Sequence, residues 1–92
     1  MSSIQSDIIK VKLNDGYEVN INEKRLKNMR LIDAMRELEK DFSAISDVCL
    51  LILGKDERDK LYAHVEDEDG IVNMEDISTA LEQIFASAKV KN

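Results

Sequence analysis

A chain of 92 residues is the size of one domain, and at that length only roughly 60–65% of the unfolded surface is buried, so modest stability and help from self-association are expected. With 35% charged and 43% hydrophobic residues, three glycines and no proline, the composition suits a helix-rich soluble domain better than a disordered tail, and a single cysteine excludes an internal disulfide. The net charge of −6 argues against nucleic-acid binding through a basic surface.

The segment DIIKVKLNDGYEVNI alternates apolar and polar residues on both sides of a turn triplet, the pattern of a β-hairpin over about residues 7–22. Its register follows from the side-chain period of two. A two-residue Asp15-Gly16 loop would put the two apolar stripes on opposite faces. A three-residue loop, Asn14-Asp15-Gly16 with the glycine in the left-handed region, instead pairs Leu13 with Tyr17, Val11 with Val19 and Ile9 with Ile21 on one face. Lys12 then lies opposite Glu18 on the other. A lone hairpin is marginal in water, so the apolar face must lie on helices, and a strand edge is left available to another chain.

Four helical segments are predicted over about residues 25–92. In KRLKNMRLIDAMRELEK, Leu26, Met29, Ile32, Met35 and Leu38 recur every three residues, with Leu31 and Ala34 widening the stripe. That predicts a helix of about ten to fifteen residues, with either Asn22 or Asn28 as its N-cap. FSAISDVCLLILG predicts a second helix from near Ser43, apolar almost all round from Val48 to Leu53 and closed by Gly54, which makes it the central buried helix. KDERDKLYAHVED predicts a short third helix that offers Leu61, Tyr62 and Val65 to the core. The fourth is capped by Asn73, with Glu75 and Asp76 at its positive end, Lys89 and Lys91 at its negative end, and Ile77, Leu81, Ile84, Phe85 and Ala88 along one stripe. The expected fold is a single domain over residues 1–92, α+β but mainly α: an N-terminal β-hairpin packed on a compact bundle of about four short helices.

VEDEDGIVNMED, Val65 to Asp76, has the outline of a calcium loop, with alternating acids and a glycine in sixth place. The alignment fails at its first ligand, because Val65 cannot coordinate calcium, and its last position holds Asp76 where the longer Glu is preferred. The segment reads as an Asp69-Gly70 turn, an extended Ile71-Val72 and the start of the last helix at Asn73. His64 and Cys49 are the only residues of their kinds, so neither a His/Cys metal cluster nor a thiol–imidazole pair has further support. Cys49 sits in an apolar run and His64 on a charged helix, which predict a buried thiol and a surface imidazole. Ser43, Ser46, Ser78 and Thr79 have no visible base partner, there is no glycine-rich phosphate loop, and the Asp-Ser-Leu of acyl carrier proteins is missing. The expectation is a chain with no catalytic residues, no metal and no cofactor. No apolar stretch approaches the ~18 residues of a membrane span, and MSSIQSDII lacks the order of a signal peptide, which predicts a cytoplasmic protein.

Charge is unevenly spread. Residues 1–36 carry seven basic and five acidic side chains, 37–55 two and four, 56–76 two and nine, and 77–92 two and one. Such polarity permits head-to-tail attraction between copies.

Nearly the whole chain resembles the small tail assembly chaperones of long-tailed, siphovirus-type phages and prophages, especially those of Gram-positive hosts. The resemblance rests on IKVKLNDGYEVNINEKRL, on LLILGKDERDKLY and on EDGIVNMEDISTALEQIF. It implies a protein that binds the tape measure protein, engages tail tube subunits, works in the host cytoplasm and is absent from the finished virion. It also implies that this chain corresponds to the shorter of two forms, the longer arising by a programmed frameshift. A tape measure protein exposes apolar helical surface until the tube encloses it, so many weakly bound copies would suit the task. Flexible Met29 and Met35 on the first helix, and Ile8 and Tyr17 on the hairpin, are the candidate partner-binding residues. The alternative from a different class is a small acidic regulatory adaptor or nucleic-acid mimic that blocks a basic protein surface.

Overall fold

The hairpin forms in the expected register. In the computed structural model, which describes residues 7–90, β1 (Ile8–Lys12) pairs antiparallel with β2 (Glu18–Asn22), setting Ile9 against Ile21, Val11 against Val19 and Lys12 against Glu18. The loop closes through Leu13 N–H to the Tyr17 carbonyl at 2.8 Å and Gly16 N–H to the Leu13 carbonyl at 2.9 Å. Gly16 has φ +94°, the left-handed conformation that makes a three-residue loop possible. One face of the hairpin is consequently apolar. Val11, Val19 and Ile21 on that face are buried against the helices.

Both candidate caps are used, and the single first helix of the sequence pattern is two. Asn22 accepts from Lys24 N–H at 2.9 Å to start α1 (Glu23–Leu26), and Asn28 accepts from Arg30 N–H at 2.9 Å to start α2 (Met29–Lys40). A side chain that bonds the backbone two residues ahead offers the chain an alternative to continuing the previous helix, so Asn28 separates the two. The expected stripe is corrected at the same place. A repeat of three falls about 60° short of a full turn at each step, so it cannot stay on one face. The buried side of α2 is Leu31 with Ala34, Met35 and Leu38 partly covered, while Met29 is 64% and Ile32 40% exposed.

A 3₁₀ turn at Phe42–Ala44, capped by Asp41, leads into α3 (Ile45–Val65). Gly54 interrupts α3 with φ 82° and ψ 167°, dividing it into the predicted second and third helices, 45–53 and 55–65. The first half buries Ile45, Val48, Cys49, Ile52 and Leu53, and the second buries Leu61, with Tyr62 and Val65 partly covered. Arg25 reaches across from α1 and donates from Nη1 to the Leu51 carbonyl at 3.3 Å, one turn before the break. An Asp67–Gly70 turn follows, and Asn73 accepts from Glu75 N–H at 2.7 Å at the head of α4 (Met74–Val90). Ile77, Leu81 and Ile84 are buried as the stripe predicts; Ala80 joins them, and Phe85 and Ala88 are half-buried. Lys91 lies outside the described residues. The central element is α3, which packs on α1, α2, β2 and α4, so the fold is a hairpin laid on about four helical pieces.

Candidate functional site

The two edges of the hairpin are unlike. Because Leu13 N–H bonds across to Tyr17, the alternation of an antiparallel ladder turns the backbone groups of Ile8, Lys10 and Lys12 away from β2. Ile8 is 48% exposed at the start of that edge. The opposite edge is closed: β2 packs on α3, and Asn20 N–H donates to Glu57 Oε1 at 3.1 Å.

Tyr17 is engaged inside the molecule. Its ring stacks on His64 with centroids 4.0 Å apart and planes 15° from parallel. His64 Nε2 lies 2.8 Å from Asp15 Oδ2, while Asp15 Oδ1 accepts from Tyr17 N–H at 3.0 Å. A third tie joins the loop to α4, where Gln83 Oε1 accepts from Asn14 N–H at 2.8 Å. The hydrogen bond from His64, and then that from the Tyr17 amide, hold the Asp15 carboxyl below its ordinary value. A hollow of about 350 Å³ lies beside this cluster, with Asp76, Thr79 and Gln83 on its wall. The Thr79 hydroxyl makes no hydrogen bond to His64 among the described residues, so the imidazole is spent on holding the hairpin tip to the end of α3. His64 lies at the surface as expected, but its partner is 49 positions away and no local spacing connects them.

The acidic stretch resolves into a turn. Asp67 Oδ1 accepts from Asp69 N–H at 2.8 Å and Ile71 N–H at 3.0 Å, and Gly70, with φ +80°, donates to the Asp67 carbonyl at 2.9 Å. The carboxylate expected at the third position of a calcium loop is therefore occupied by backbone donors. Among the described residues no group of three or more His, Cys, Asp or Glu side chains is placed to hold a metal ion. Cys49 is fully buried, and burial pushes its thiol up to about 11, which keeps it un-ionised at neutral pH.

The two methionine candidates take different positions on α2. Met29 and Ile32 stand one turn apart on its outer side, both open to solvent. Met35 turns the other way, onto the lip of a cleft of about 290 Å³ between α2 and α4. Leu38 shares its wall, Leu81 and Phe85 form the facing one, and Glu39 and Glu82 stand one on each helix. Both helices pack on α3, whose Ile45 also lines the cleft. No helix among the described residues is long and apolar enough to cross a membrane. No protein-family model, curated protein or solved structure matches the chain.

Proposed function

We propose that this chain is a tail assembly chaperone of a siphovirus-type phage or prophage, which binds and solubilises the tape measure protein and helps to recruit tail tube subunits. It acts in the host cytoplasm as a weak homo-oligomer and leaves before the virion is complete. The observation that carries the reading is the apolar surface of α2, where Met29 and Ile32 are exposed on one side and Met35 lines a cleft on the other. Methionine is unbranched and polarizable, so such a surface repacks against successive stretches of a long helical partner without demanding one sequence. The order of sequence features adds support, since the hairpin, the Gly54 break and the Asp-Gly entry to α4 are the segments that resemble the chaperones.

A second reading is favoured by the exposed acids of residues 56–76. Asp59 is paired with Lys55 at 2.9 Å and Arg58 at 3.0 Å, and Glu57 with Lys60 at 3.7 Å, yet Asp56, Glu66 and Asp76 face solvent without an ion pair among the described residues. That surface suits an acidic adaptor or nucleic-acid mimic seated on a basic protein. Gene order separates the two, because a chaperone gene lies between those of the major tail protein and a very long tape measure protein. Coexpression decides directly: a tape measure segment that aggregates alone becomes soluble with this chain, in a complex of many copies per segment. If the segment from the same genome stays insoluble with this protein in excess, in both its short and frameshifted forms, the chaperone reading fails.

A further inference from the structure

We infer that the cleft between α2 and α4 receives one face of a partner helix that carries basic side chains beside its apolar anchors; this rests on the chaperone reading and adds to it a place and a charge rule. The cleft wall on α4 runs from Ser78 to Phe85, seven residue steps and so about 10 Å, or two helical turns. That length accommodates two apolar anchors spaced i, i+3 or i, i+4 on the occupant.

The occupant is a helix because of what the walls offer. They consist of side chains from two helices whose interior backbone groups are already bonded. An extended peptide in the cleft would find no backbone partners and leave its own N–H and C=O groups unmet, whereas a helix arrives with these satisfied internally. The open edge of β1, with its outward backbone groups, suits an extended segment; the cleft does not.

Charge sets the second requirement. Glu39 on one lip and Glu82 on the other are both exposed, and neither takes part in an ion pair or side-chain hydrogen bond among the described residues. Among the described residues no cationic side chain lines the cleft. An incoming helix therefore meets a carboxylate on each side of its apolar stripe, which attracts Lys or Arg at its flanks and repels Glu or Asp.

The test uses two fluorescent helical peptides of about 20 residues with the same leucine stripe, flanked by lysines in one and by glutamates in the other. Each is titrated into the wild-type chain and into Glu39→Lys/Glu82→Lys, whose exposed substitutions should leave the melting curve unchanged. The wild type is expected to bind the lysine peptide roughly tenfold more tightly, the combined effect of two exposed ion pairs, with the difference shrinking from about 0.1 to 1 M salt. The variant is expected to prefer the glutamate peptide. Equal affinities, or a preference that charge reversal leaves alone, overturn the inference. So does a change in the sedimentation of the protein alone on charge reversal, since a second copy would then be filling the cleft. Coexpression with the tape measure segment separates this inference from the function. If wild type and variant solubilise the segment equally, the cleft assignment is wrong and the chaperone reading survives. If neither does while the peptide preference reverses as expected, the cleft assignment stands and the chaperone reading falls.

Discussion

Replacing Gly54 with alanine tests the break in α3 by the sign of its effect. At φ 82° and ψ 167° this residue occupies a region open essentially only to glycine, where another residue costs about 1–3 kcal/mol. A Cβ added here would also lie 2.7 Å from Arg25 Nη2 and 3.0 Å from its Cζ. The guanidinium must then move away from the Leu51 carbonyl that it holds at 3.3 Å, and at that length the bond is at the weak end of the ~1.5–3 kcal/mol range for charged donors. Together these give a loss of about 2.5–4.5 kcal/mol. A domain of this size has about 5–14 kcal/mol in all, so the change should be plain in urea unfolding followed by circular dichroism. Arg25→Ala separates the two components: Gly54→Ala should cost less in that background, because the clash is gone and only the backbone strain remains. Were residues 45–65 one straight helix, alanine would instead stabilise by about 1 kcal/mol through its helix propensity. A stabilised Gly54→Ala protein refutes the break and the role given to Arg25.

Gly16→Val should destabilise by about 1–2 kcal/mol through backbone strain alone, since nothing lies within 4 Å of the added Cβ; an unchanged urea midpoint would mean that the loop and the Val11–Val19 register are wrong. Asp15 is held below its ordinary value in the folded state, so it contributes stability that is present above about pH 4 and is lost as pH falls through the folded value. Asp15→Asn should lack that acid-side loss, and parallel pH–stability curves below about pH 4 for the two proteins would show that the contact with His64 and Tyr17 does not form in solution. Cys49, buried and with its thiol pushed up to about 11, should resist a disulfide reagent at neutral pH and react only on unfolding; rapid labelling of the native protein would place it outside the core.

What the sequence by itself determined is what neighbours along the chain decide. The hairpin register follows from a period of two and the conformational demand on Gly16, both local properties of residues 9–21. Asn22, Asn28 and Asn73 act through a side-chain oxygen on the backbone two positions ahead, and Gly54 ends a helix through its own φ, so all four were legible as single residues. Which side of α2 enters the core was not. Its three-residue repeat drifts around the helix, and only the position of α3 selects Leu31 for burial and leaves Met29 and Ile32 outside. The pairing of Asp15 with His64, the bond from Asn14 to Gln83 and the cap of Asn20 by Glu57 join residues 49, 69 and 37 positions apart. The cleft between α2 and α4 arises because both helices rest on α3, whose buried Ile45 lines it between their facing walls. Periodicity records which faces are apolar within one element, but the distance between two faces is set by what both of them pack against.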